Sequence, residues 1–306
     1  MVGLPKFLRP IMTNTERIAH KHRALDHNQL RLGLPMWYMP QWRGELLAPV
    51  GDAQSALAQY ARQFSSVEGN TTFYGLPTVE RAHHWAQQVP ESFRFAFKLP
   101  RSISLSHDLL QALKRELPAW LDFCQAVGSR LGLGLLQLPA QFGPERLPEL
   151  FSALDALRQE QAVPLAVEVR HPELFAKGDA ERQLLRALTQ REVDRVIFDT
   201  RGLFHDNGQS AEILDARAKK PRLPVHPIAT GKHPVVRFIG HSQWQRDDEF
   251  LQQWHAKLIE WQQQGRQPFF FIHTAGNHNA PQRANAVCDA WQLPELKWQP
   301  TQPSLL

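Results

Sequence analysis

Along the 306-residue chain, apolar strand-like runs repeatedly end in a group able to do chemistry: Glu68 and Asn70, Lys98, Gln137, Glu168 and Arg170, Asp199, Arg237, and His273. Carboxylates and cations alternate along this series. An ionised group held inside a protein costs several kcal/mol unless it is paired, whereas Val or Leu at the same positions would pack without that cost. Recurrence at strand ends therefore points to a charged ligand, with a purely structural salt-bridge network as the bland alternative. Lys98, Arg170 and Arg237 suit a clamp for phosphate or carboxylate. Glu68 and Glu168 suit general acid–base work, and Asp199 suits orienting a cation or hydroxyl. Asn70, Tyr74, Gln137 and His273 would complete the lining, and Trp37 offers a ring for stacking. This mix fits a small anionic ligand, a phosphate ester or a carboxylate, and if turned over, a hydrolase, lyase or isomerase. A second chemistry uses the same positions differently. Glu68, Glu168, Asp199 and His273 form a ligand set for Mg²⁺, Mn²⁺ or Zn²⁺, although the three cations compete for those carboxylates. No resident cofactor is expected in the first reading, and a divalent metal is required in the second.

Such a ring needs elements that bring distant positions to one place. Strand-like runs fall at 30–35, 66–69, 93–99, 133–138, 165–169, 195–200, 235–239 and 269–273. Helix-period segments separate most of them, at 53–64, 78–88, 109–127, 147–160, 180–191, 248–264 and 281–291. In the third of these, Leu109, Leu110, Leu113, Leu117, Trp120, Leu121, Phe123 and Cys124 repeat near the helical period. Strand–helix alternation implies parallel strands joined by crossover helices, and eight strands fit a single (β/α)₈ barrel of the TIM type. In that fold, catalysis is built at the C-terminal ends of the strands.

Strand parity sharpens the placement. Phe93, Phe95, Phe97 and Leu99 should face the helices, which turns Lys98 inward. Leu165, Val167 and Val169 outward leave Ala166, Glu168 and Arg170 inward. Strand seven offers Val235, Arg237 and Ile239 as one face, and strand eight Phe269, Phe271 and His273. Residues 1–29 show no sustained period and read as a basic N-terminal extension, 30–300 as the barrel, and 301–306 as a tail. The stretch 201–233 lacks an obvious long helix and reads as an irregular connection between strands six and seven.

Composition narrows the classes. With 42 % hydrophobic and 21 % charged residues, the chain is globular, and no apolar run reaches the length of a membrane span. The formal charge of +5 is concentrated in two places. Residues 1–29 hold five basic against two acidic residues, and 215–222 hold four against one, leaving the remainder near neutral. A nucleic-acid partner would be held through those two segments, but no recognition motif accompanies them. Cys124 and Cys288 are the only cysteines, which with no secretory signal in view points to the cytoplasm. No membrane partner is expected, and oligomeric state is not legible.

Five motifs resemble the YecE-like family, also called domain of unknown function 72: VEGNTTFYGLP (67–77), FRFAFKLP (93–100), LLQLPAQFGP (135–144), VEVRHP (167–172) and VVRFIG (235–240). They occur in family order, and GLPMW (33–37) resembles one branch in particular. The resemblance spans 30–300 and implies a TIM barrel. By position it places the family pattern on Glu68, Asn70, Thr71, Phe73, Tyr74, Lys98, Gln137, Pro139, Glu168, Arg170, His171, Asp199 and Arg237. Departures fall on three strands. Many members have Gly-Thr-Ser-Gly-Trp where this chain has Gly33 to Trp37, a histidine where it has Ile239, and paired asparagines where it has Ile272 and His273. The family carries no established activity into this reading.

Overall fold

The computed structural model of the chain describes residues 24–51, 55–160 and 163–298. The first part of the N-terminal extension, through residue 23, and the tail 301–306 lie outside the described residues. Eight strands close into one barrel in sequence order: β1 (Arg31–Leu34), β2 (Ser66–Gly69), β3 (Arg94–Lys98), β4 (Leu131–Gln137), β5 (Leu165–Glu168), β6 (Asp194–Asp199), β7 (Val235–Ile239) and β8 (Phe269–His273). Every neighbouring pair is parallel, including β8 with β1. The long helices Val79–Gln87, Leu109–Val127, Leu147–Glu160, Asp179–Gln190, Asp248–Gln263 and Ala280–Ala290 follow strands, as a crossover topology demands. Among the described residues, no helix is long and apolar enough to cross a membrane.

Alternation along the strands separates two apolar compartments. Phe93, Phe95, Phe97, Leu165, Val167, Val236, Phe238, Phe270 and Ile272 join the helix-facing core. On that side, Phe95 stacks on Phe97 with ring centroids 4.9 Å apart, and Trp85 stacks on Phe97 at 5.8 Å. Each such pair adds about 0.5–1.5 kcal/mol beyond area burial. The barrel interior holds a separate cluster: Ala96, Leu133, Leu135, Ala166, Val196, Val235, Phe269 and Phe271. That plug fills the barrel below its C-terminal mouth. The next inward residue on each strand lies two positions further along, which yields Lys98 after Ala96, Gln137 after Leu135, Glu168 after Ala166, Arg237 after Val235 and His273 after Phe271. The period-two rule thus turns an apolar floor into a polar layer directly above it.

Two glycines allow β1, β2 and β3 to close up. A Cβ on Gly33 would strike the Ser66 carbonyl, and one on Gly69 would strike the Phe97 ring. The connection between β6 and β7 is more regular than expected, because it contains helices Arg201–His205 and Ala211–Lys219. Ser210 caps the second of these by accepting from the Ile213 amide at 3.4 Å. Only Ile213 and Ala216 of that helix are buried, so it leaves almost no apolar period in the sequence. Before β1, Leu25 is buried and Asp26 exchanges two hydrogen bonds with Gln262, so this part of the extension is packed against helix Asp248–Gln263.

Candidate active site

At the centre of the barrel mouth, Arg237 bridges two carboxylates. Its Nε and Nη2 donate to Glu68 at 2.7 and 2.9 Å, and its Nη1 donates to Glu168 at 2.5 Å. Lys98 donates to Gln137 Oε1 at 2.8 Å and sits 3.5 Å from Glu68. Arg170 donates to the other oxygen of Glu168 at 2.6 Å. His273 Nε2 lies 3.2 Å from Glu68. Seven expected site residues, from β2, β3, β4, β5, β7, β8 and the residues just after β5, therefore meet in one network.

The network is buried unevenly. Glu68 is fully buried and Lys98, Glu168, Arg237 and His273 are nearly so, while Arg170 and Gln137 are half-buried at its edge. Phe198, the inward residue near the end of β6, carries the guanidinium groups of Arg237 and Arg170 over its ring, at 4.8 and 5.8 Å from the centroid. Phe73, in the short helix Thr71–Tyr74 after β2, has its ring centroid 5.7 Å from the Lys98 ammonium, and Thr72 of the same helix donates to the Lys98 carbonyl at 2.6 Å. Aromatic faces replace water around the cations here.

These surroundings set the protonation states. Burial by itself raises the Glu68 carboxyl, but Arg237 first, then Lys98 and His273, outweigh it and hold its pKa well below the usual carboxylate range. Glu168 is brought to about 2 by the same contest, with Arg237 and Arg170 overcoming burial. Both carboxylates therefore stay ionised at neutral pH. Burial pushes His273 down to about 4, against the pull of Glu68, so its ring is neutral and its Nε2–H donates to Glu68. Burial, aided by the Arg237 charge, lowers Lys98 to about 8 despite the two nearby carboxylates. Among these groups, Lys98 is the one whose proton is mobile near neutrality.

Five expected residues are not brought into the network. Asp199 lies on the helix-facing side of β6: it accepts from Trp254 Nε1 at 2.8 Å and pairs with Arg201 at 2.8 Å. Its neighbours Val196 and Phe198 hold the inward phase of that strand. Trp37 packs edge-on to Trp85, with centroids 5.1 Å apart, and lines an outer groove of about 740 Å³ with Met36, Tyr38 and Trp85. Asn70 ties the loops after β1 and β2 together by donating to the Pro35 carbonyl at 2.8 Å. Tyr74 is 76 % exposed. His171 accepts from the Glu173 amide at 3.3 Å and so caps the short turn after β5. The alternative metal set is likewise not assembled. Asp199 faces away, Arg237 lies between Glu68 and Glu168, and among the described residues no three His, Cys, Asp or Glu side chains gather to hold an ion.

One cation was missed by the strand-end rule. Lys220 follows helix Ala211–Lys219, and its charge acts on Glu68, Glu168, Arg170 and Arg237. The other basic residues of 215–222 are engaged within the fold. Arg217 donates to the Leu203 and Gly208 carbonyls, Lys219 pairs with Asp215, and Arg222 lies over Phe204.

The comparisons with known proteins agree with this architecture. A family described as "Protein of unknown function DUF72" matches residues 31–305. The UPF0759 protein YecE of Escherichia coli strain K12 is 39 % identical over 274 residues, which cover 89 % of this chain and 97 % of that protein. A crystal structure of a DUF72 family protein from Enterococcus faecalis V583 superimposes with a TM-score of 0.61 at 20 % identity, covering 90 % of this chain and 99 % of the other. One from Thermotoga maritima MSB8 gives 0.57 at 19 % identity, covering 87 % and 98 %. At those identities the likeness concerns the fold.

Proposed function

This chain belongs to the DUF72 family, and from the buried network at its barrel mouth we propose that it binds, as an enzyme or an enzyme-derived binder, a small anionic polar metabolite, phosphorylated or carboxylated. The observation that carries the reading is the charge balance: Lys98, Arg170 and Arg237 face two carboxylates, with His273 neutral. Glu68 and Glu168 spend their oxygens on holding these cations in place, so they act as positioning groups and not as proton donors. Arg170, with one side on Glu168 and a fifth of its side chain exposed, presents the remaining donors to the opening. Where the ligand is turned over, Lys98 is the group that moves a proton, since its pKa lies closest to the working pH.

Thermal melting in the presence of sugar phosphates, nucleotides and dicarboxylates tests this. A ligand at a hundred times its Kd stabilises the fold by about 2.7 kcal/mol, which a melting curve resolves. The wild type should be stabilised by at least one such anion, and Arg170→Ala should lose that stabilisation. If no anion stabilises the wild type, or if every effective one stabilises Arg170→Ala equally, the reading is wrong.

A further inference from the structure

Lys220 makes the mouth more positive than its two carboxylates require. Three features fix where it sits. Thr200, at the C-terminal end of β6, donates its hydroxyl to the Pro221 carbonyl at 3.1 Å and so anchors the chain beside Lys220. Ala216, one turn earlier, packs with Phe198 and Ile239, the inward residues at the ends of β6 and β7. Arg222 is held over Phe204 with its guanidinium carbon 5.6 Å from the ring centroid. Lys220 is thereby placed at the rim, half-buried, and its ammonium makes no hydrogen bond or ion pair among the described residues. The other three cations each have a carboxylate partner.

Counting Lys220, four cations surround two ionised carboxylates, an excess of two positive charges at a partly desolvated mouth. A monoanion would leave one of them uncompensated. Building on the anion-binding reading above, we propose that the ligand carries a dianionic group, a phosphate monoester, seated between Arg170 and Lys220, with Lys220 as the residue that selects the second negative charge. Arg170 offers a planar fork suited to two phosphate oxygens, and Lys220 supplies a point charge to the third. The β6–β7 connection, which contributes nothing else to the network, acquires a role as the carrier of that charge.

Calorimetric titration at pH 7.5 with methyl phosphate, a dianion, and dimethyl phosphate, a monoanion of similar shape, tests the assignment in the wild type and in Lys220→Met, Lys220→Arg and Arg170→Ala. The wild type should prefer methyl phosphate by tenfold or more. In Lys220→Met that preference should fall toward unity, mainly through weaker methyl phosphate binding, and Lys220→Arg should restore it. A structural role for Lys220 would instead weaken both esters alike. If Lys220→Met keeps the preference while Arg170→Ala abolishes binding of both esters, the selective role of Lys220 is overturned and the anion site stands. If the wild type binds neither ester, nor any other anion, both proposals fall together.

Discussion

Replacing Arg237 by Met should be among the most damaging single changes this fold can suffer from one side chain at the mouth. Arg237 is 6 % exposed and donates three hydrogen bonds to Glu68 and Glu168. Its removal leaves Lys98 and His273 beside Glu68, Arg170 beside Glu168, and no group linking the two carboxylates. Breaking a buried ion pair by deleting one partner costs about 3–5 kcal/mol. The Glu168 carboxyl points the same way: it is held at about 2 against an ordinary 4.5, and Arg237 is the largest of the charges that lower it. For a chain of this size the loss corresponds to a fall in melting temperature of roughly 5–10 °C. The pH dependence has a definite sign. In the wild type both carboxyls are depressed, so their contribution is complete above the unfolded value near 4.5 and is lost as pH falls through about 2 for Glu168. In Arg237→Met the strongest of the lowering charges is gone, so both carboxyls rise and the variant keeps less of that contribution at neutral pH. The gap between variant and wild type should therefore be wide at pH 7.5 and narrower at pH 4.5. Melting curves by circular dichroism at the two pH values decide it. A variant that melts within 2 °C of wild type at pH 7.5 (roughly 1 kcal/mol or less by the same scaling) would refute the reasoning.

Other consequences are as direct. Competitive acylation of lysines should show Lys98 titrating near pH 8, well below exposed lysines, and an ordinary lysine profile would contradict its placement. Asp199→Asn should leave anion affinity within twofold while lowering stability by about 1–3 kcal/mol through its bonds to Trp254 and Arg201; a large loss of affinity without loss of stability would place it in the site after all. Gly33→Ala directs a methyl group at the Ser66 carbonyl, a backbone atom that cannot rotate away, and should cost about 1–3 kcal/mol by denaturant unfolding.

How far the molecule was legible in its sequence depends on which face of each strand the pattern revealed. β3 alternates large aromatics with Arg94, Ala96 and Lys98, so its inward phase was plain, and the same holds for Glu168 on β5. β6 gave no such signal, because its inward residues Val196 and Phe198 are as apolar as the helix-facing Ile197 between them. Its helix-facing side carries Arg195 and Asp199, each satisfied by a helix: Arg195 pairs with Glu181, and Asp199 accepts from Trp254. Polar residues there mimic a mouth position until tertiary partners are known. Lys220 was hidden for a different reason. In the run DARAKKPR, nothing local separates it from Lys219, which pairs with Asp215 at the surface. Trp37 likewise followed a strand end yet turned outward, toward Trp85 and Phe95 on the helix side.

The central claim is that the barrel mouth is an anion site, and locating a bound anion tests it most directly. Crystals of the wild type equilibrated with tungstate, a phosphate-like dianion with strong anomalous scattering, should show a peak at the mouth within hydrogen-bonding reach of Arg170 and Lys220, and that peak should vanish in Arg170→Ala. Tungstate found only on the outer surface, with the mouth of the wild type unoccupied at saturating concentration, would contradict the account.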